Sequence, residues 1–258
     1  MDRESAEEIL KRALGNPKAK FREGQWEAID ALVNQKQKLM VVQRTGWGKS
    51  SVYFISTRIL RDSGAGPTLI VSPLLALMRN QIDAAEKLEI KAETINSSNQ
   101  DEWDQIKESI LSDDIDAILI SPERFSNENF IKEFLQPISE RIGLFVVDEA
   151  HCISDWGHDF RPDYRRLVNI LNQLPPNMPL LATTATANDR VLEDIENQLG
   201  NIIIQKGHLM RESLCLQNID LPNQASPMAW LVQSIPKFEI QELFMFSQHE
   251  LQKRLLIG

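Results

Sequence analysis

The sequence predicts an α/β fold, a mostly parallel sheet with helices on both faces. Three observations carry that expectation. Short apolar runs recur along the chain with helical patterns between them, and strands that alternate with helices form a parallel sheet joined by right-handed crossovers. A glycine-bearing turn, Gln43 to Ser50, follows one apolar run and opens a helical pattern. Two adjacent carboxylates, Asp148 and Glu149, end another apolar run, and open α/β sheets bind ligands at the carboxyl edge of their strands.

Taken in order, Ser5-Ala6-Glu7-Glu8 reads as a capping box on a short amphipathic helix within residues 1–18. Strand-like runs fall near 39–43, 68–72, 92–95, 117–121, 142–148, 179–183 and 202–205. Helical patterns lie at 50–60, 73–88, 100–112, 127–135, 164–174 and 187–199. One domain is therefore expected over 19–216. After Gln217, Pro222, Pro227 and Pro236 suggest a linker, and Ile240, Leu243, Phe244, Leu251, Leu255 and Leu256 read as an amphipathic helix, so 217–258 is expected to be linker and tail. No second P-loop-type strand or arginine-finger motif is found there. The expectation is a fragment or truncated product, or a partner that supplies the rest.

The 258 residues are 25% charged and 42% hydrophobic, ordinary values for a globular protein. No apolar run approaches the roughly 18–20 residues of a membrane span, and no signal peptide opens the chain. Two cysteines, Cys152 and Cys215, fit a reducing cytosol and are too few for a four-cysteine zinc site. Cys152 reads as a buried, inert thiol, and the expected compartment is the cytoplasm. The net charge of −9 argues against broad electrostatic clamping of a duplex. A single-stranded channel built from loops and stacking side chains stays open to it.

The chemistry gathers at five places. In Thr45-Gly46-Trp47-Gly48-Lys49-Ser50, glycine lets the backbone approach phosphate oxygens, and the helix N-terminus presents N–H groups. Lys49 would reach the β- and γ-phosphates, and Ser50 would ligate magnesium. Gln43 stands where the full pattern has a glycine, and Trp47 reads as a packed loop aromatic. Asp148 is expected to be the second magnesium holder, through water, and Glu149 the base that positions the attacking water. Downstream, Trp156, His158, Phe160 and Arg161 suit contact with bases. Pro73, just after Ser72, is a natural first helical residue whose helix offers N–H groups to a DNA phosphate. Thr184 and Thr186 could relay the nucleotide state through His151. The acidic pairs Asp101-Glu102 and Asp113-Asp114 read as solvated helix ends.

In this order the motifs resemble the first motor domain of a RecQ-family DNA helicase of superfamily 2, from about residue 19 to about residue 215. Phe21-Arg22-Glu23-Gly24-Gln25 resembles the family's adenine-reading motif, with Arg22 beside Gln25 as the reader of the base. Residues 44–50 resemble motif I, Ser72 to Gln81 motif Ia, Asp148 to His151 motif II and Thr184-Ala185-Thr186-Ala187 motif III. Asn96-Ser97 and Ser121-Pro122-Glu123-Arg124 resemble strand-contacting motifs, and 152–164 resembles the family's aromatic-rich loop. Gln43, Arg44, Trp47 and Asp155 depart from the pattern. The resemblance implies a RecA-like P-loop NTPase domain, ATP and magnesium, a single-stranded or forked DNA partner, 3′-to-5′ translocation and a role in DNA repair or recombination. It also implies a second RecA-like domain, in the full-length protein or a partner chain, whose arginine finger completes the site. An isolated chain would then bind ATP but turn it over slowly. The alternatives are a truncated, non-catalytic ATP- or DNA-binding module and, less well matched to the aromatic loop, an RNA helicase domain.

Overall fold

The structure is a computed structural model that describes residues 1–73, 75–96, 99–154, 162–171, 175, 177–186 and 188–209, with 230, 233, 244–247 and 254–257 beyond. The chain divides into two compact units, Met1–Met210 and Arg211–Gly258.

In the first unit, helices α1 (Arg3–Leu14) and α2 (Gln25–Val33) precede β1 (Lys38–Val42) and α3 (Lys49–Asp62). There follow β2 (Thr68–Val71), α4 (Leu75–Glu86), β3 (Ala92–Ile95), α5 (Trp103–Leu111) and β4 (Ala117–Ile120). After a π-helical stretch, Phe130–Leu135, come the short α6 (Gln136–Ile138), β5 (Leu144–Val147), α7 (Pro162–Leu171), β6 (Leu180–Thr184), α8 (Asp189–Leu199) and β7 (Ile203–Lys206). The seven strands form one sheet in the order β3-β4-β2-β5-β6-β1-β7, and every pairing is parallel. The expected α/β class and all seven expected strands are present.

Alternation along each strand builds two cores. Met40, Val42, Leu69, Val71, Phe145 and Val147 face one side with α5, α7 and α8. Leu39, Val41, Ile70, Leu144 and Val146 face the other with α1 to α4. Strands covered on both faces read as continuous apolar runs, which is why the sequence revealed them.

Two expectations are corrected at the chain's ends. The first helix is capped by Asp2, whose carboxylate accepts from the Ser5 backbone N–H at 2.9 Å and from the Ser5 hydroxyl at 3.1 Å. Ser5 lies inside the helix because a carboxylate accepts well from N–H groups at a helix start. This helix buries Ala6, Ile9 and Leu10 in the core shared with α3. The tail is no amphipathic helix at its described positions. In the second unit β8 (Phe244–Ser247) pairs antiparallel with β9 (Arg254–Ile257). Phe244-Met245-Phe246 and Leu255-Leu256-Ile257 are compact apolar runs, and runs this short fit either period. Helix α2 is an additional element, absent from the expected series. No helix among the described residues is long and apolar enough to cross a membrane.

Candidate nucleotide and metal site

The sheet order sets β2, β5, β6 and β1 side by side. The residues that follow them are therefore neighbours along one edge: Ser72–Pro73, Asp148–Glu149, Ala185–Thr186 and the loop from Gln43. Register fixes the pairing, with Val42 opposite Thr184 and Val71 opposite Val147.

The loop after β1 is shaped by glycine. Gly46 and Gly48 have φ of +81° and +99°, a region costly for other residues, and Gly48 caps α3. Gln25 binds this loop through its backbone. Its Oε1 accepts from the Arg22 N–H at 2.8 Å, and its Nε2 donates to the Trp47 carbonyl at 2.9 Å. A side chain on Gly48 would meet Gln25 Nε2 at 2.6 Å. Trp47 is packed, 5% exposed, with its indole N–H on the Glu23 carbonyl at 3.2 Å. The Arg22 guanidinium donates to the Gly46 carbonyl, and Gln205 Nε2 on β7 donates to the Gly24 carbonyl at 2.7 Å. Gln43, in the place of a glycine, is buried against Gly207, where any Cβ would collide with its amide. The missing glycine on one strand is thus matched by a glycine after the neighbouring one. Lys49 Nζ donates to the Gln43 carbonyl at 2.8 Å. Burial lowers its pKa, against the opposing pull of Glu149 and Asp148. Ser50 is half-buried on the first turn of α3, and Thr45 is exposed on the loop before that helix.

Asp148 and Glu149 follow β5 but are held differently. Asp148 is 8% exposed. Its Oδ1 accepts from Thr183 Oγ1 at 2.6 Å and from the Glu149 N–H at 3.2 Å, and its Oδ2 accepts from Gln81 Nε2 at 3.0 Å. Burial pushes its carboxyl above the ordinary value; the Thr183 bond opposes this and the Glu149 charge adds to it. An acidic group held by neutral donors is one that a divalent cation would suit.

Glu149 adopts φ +53°, which turns its side chain off the strand line. Its Oε2 lies 3.2 Å from His151 Nδ1. The same nitrogen lies 3.0 Å from Thr184 Oγ1. The Thr184 hydroxyl donates to the Thr186 carbonyl at 3.0 Å, so its oxygen accepts from His151, and Nδ1 carries the ring proton. Burial alone would raise the Glu149 carboxyl, but the His151 bond and charge, Lys49 and the Ala185 N–H bring it below the ordinary value. Cys152 is fully buried.

The structure thus brings Arg22, Gln25, Lys49, Asp148, Glu149, His151, Thr184 and Thr186 into one region. Ser72 is fully buried, its hydroxyl without a hydrogen-bond partner among the described residues, and Pro73 is buried too. Asn96 directly follows β3, its N–H donating to Asn99 Oδ1 at 3.0 Å. After β4, the Arg124 guanidinium stands over the Trp103 ring at 5.7 Å. Ser97, Trp156, His158, Phe160 and Arg161 lie outside the described residues. Just beyond that loop, the buried Tyr164 donates to the Asp148 carbonyl at 2.9 Å. Sequence reasoning missed Thr183, Gln81 and Gln205. Thr183 and Gln81 stood beside or within quoted motifs; Gln205 had no signal.

The chain is similar to known proteins over most of its length. The DEAD/DEAH box helicase family matches residues 22–195. The ATP-dependent DNA helicase RecQ of Bacillus subtilis (strain 168) is 38% identical over 202 residues, covering 78% of this chain and 32% of its own length. RecQ of Haemophilus influenzae is 36% identical, covering 77% of this chain and 30% of its own length. The RecQ-like DNA helicase BLM of Xenopus laevis is 37% identical, covering 70% and 13%. The chain spans about a third or less of these relatives. The Hef helicase domain of Pyrococcus furiosus shares the fold, with a TM-score of 0.54 and 18% identity over 72% of this chain and 38% of that one.

Proposed function

Because this chain belongs to the DEAD/DEAH box helicase family, we propose that it is the ATP-binding half of a RecQ-type DNA helicase. In this reading ATP hydrolysis drives 3′-to-5′ movement along single-stranded DNA. The observation that carries the reading is the meeting of the Lys49 loop, the Asp148–Glu149 pair and the Thr184–Thr186 turn at adjacent strand ends.

Gln25 would read the adenine, with Arg22 beside it. Thr45, Gly46, Gly48 and the start of α3 would cradle the phosphates, and Lys49 would exchange the Gln43 carbonyl for phosphate oxygens. Ser50 and Asp148 would hold magnesium. That ion usually binds through one or two carboxylates plus substrate phosphates and, when bound, neutralises charge on the transferring phosphoryl group. Glu149 would orient the attacking water, with His151 fixing its carboxylate. The Glu149–His151–Thr184–Thr186 chain offers a route by which the nucleotide state reaches the strand. Ser72, Pro73, Asn96, Ser97, Trp156, His158, Phe160 and Arg161 would face that strand. With Ser72 buried and its N–H on the Ile120 carbonyl, and with no N–H on Pro73, contact there would run through the backbone N–H groups at the start of α4. A second RecA-like domain, in the full-length protein or a partner chain, would supply an arginine finger worth roughly 10³–10⁵ in rate. The expected compartment is the cytoplasm.

The test is ATP turnover with single-stranded DNA, with RNA and with neither. DNA is expected to stimulate most. Trp156→Ala or Phe160→Ala is expected to keep ATP binding and lose stimulation. Equal stimulation by RNA would favour an RNA helicase, and binding without turnover under any condition would favour a non-catalytic module.

A further inference from the structure

Helix α4 carries a side chain to which the roles above give no task. Gln81 is 7% exposed, and its amide nitrogen forks between partners on two other elements. One is Tyr53 Oη on α3 at 2.9 Å, and the other is Asp148 Oδ2 after β5 at 3.0 Å. Tyr53 lies one helical turn beyond Lys49. Thr183 on β6 grips the opposite carboxylate oxygen at 2.6 Å. The carboxylate is thereby fixed from two sides. The Gln81 side leads through α4 back to Ser72–Pro73, the segment read as meeting the strand.

The other end of the amide adds a second observation. Gln81 Oε1 is buried and has no hydrogen-bond partner among the described residues. Turning the amide over would set this oxygen against Asp148 Oδ2, acceptor to acceptor, and would lose the bond to the carboxylate. The carboxylate therefore dictates the orientation, and the unpaired carbonyl is its cost. Such orphans in native structures call for a reason. Here the reason is the aim of Asp148.

We propose that Gln81 is a positioning residue that points Asp148 Oδ2 at the magnesium site and makes that aim depend on where α4 lies. The inference rests on the reading of Lys49, Ser50 and Asp148 as the nucleotide and metal site. Gln81 itself touches no phosphate; it acts through the carboxylate. A strand that moves α4 moves the donor, and the bond at Oδ2 carries the change to the metal. Loss of a hydrogen-bond partner behind a metal ligand costs roughly 10–100-fold in metal affinity or activity.

The test titrates the 258-residue chain with a fluorescent ATP analogue, in magnesium and in EDTA, with and without an oligothymidine strand. In the unsubstituted protein, magnesium should tighten binding and the strand should shift the magnesium-dependent affinity. Gln81→Met, similar in length but unable to donate, should keep the EDTA affinity and lose roughly 10-fold or more of the magnesium enhancement. It should also lose the strand-induced shift. Gln81→Leu replaces it if thermal melting shows the methionine variant unfolded. Full magnesium enhancement in a folded Gln81 variant overturns the inference, and an undiminished strand effect overturns its link to α4. A different result marks failure of the site itself: Lys49→Ala binding as tightly as the unsubstituted chain, or no magnesium-dependent binding in the latter.

Discussion

Two ends of one sheet treat carboxylates in opposite ways. At the carboxyl ends of β5 and β6, Asp148 and Glu149 lie among fixed donors: Thr183, Gln81 and His151 come from different elements and are themselves bonded or buried. At the amino ends of β3 and β4, Glu86, Glu89, Glu93, Glu102 and Asp114 line an open hollow of about 750 Å³. There Glu93 meets no such donor among the described residues. Partial burial, and then the Glu102 charge, push its carboxyl up. The difference teaches that volume is a poor guide to this site. A phosphate-binding edge is made of backbone N–H groups, one amine and a few anchored tips, and its mark is buried polar groups with partners from several elements.

Substitutions at the two ends should separate them. The largest effect belongs to Glu149→Gln, which keeps shape and loses the base. Single-turnover kinetics should show hydrolysis slowed by about 10²–10⁴-fold with ATP binding retained. A smaller effect is expected of Gln25→Ala, which frees the Trp47 carbonyl and the Arg22 N–H. At about 1 kcal/mol for each of these two hydrogen bonds, competition binding should show ATP affinity lower by roughly thirtyfold and a narrower preference over GTP. The smallest belongs to the hollow. Glu93→Gln should leave ATP affinity unchanged. Because the folded chain holds the Glu93 proton more tightly than the unfolded chain does, that group's contribution to stability is present at low pH and lost as pH rises through the carboxylate range. Melting curves from about pH 4 to about pH 7 should show the variant gaining on the unsubstituted protein as pH rises. ATP affinity that falls in Glu93→Gln as it does in Gln25→Ala would erase the contrast.

Much of this was legible in the sequence because doubly covered strands are short, apolar and punctuated by polar residues. The runs ending at Val42, Val71, Val147 and Thr184 mark the edge, and the chemistry stands just after them. Partners supplied by tertiary contact were not legible. Gln81 reaches Asp148 across 67 positions, and Gln205 reaches Gly24 across 181; no local pattern encodes such pairs. Helix α2 went unread because its apolar face, Ala28, Ile29, Leu32 and Val33, follows directly on a turn motif that drew the reading. The β8–β9 pair is hidden in the sequence because two apolar triplets satisfy a period of 3.6 as readily as one of 2. The Asp2 cap is masked in the sequence because serine followed by acidic residues also makes a capping pattern.

The most direct measurement is calorimetric titration of ATP–magnesium into the unsubstituted chain and into Lys49→Ala. The unsubstituted chain should bind with measurable heat. The variant, folded to the same melting temperature within a few degrees, should show no binding, since the amine that would leave the Gln43 carbonyl for phosphate is gone. Equal affinity in the two proteins would contradict the placing of the nucleotide on this loop, and with it the roles given to Ser50, Asp148 and Glu149.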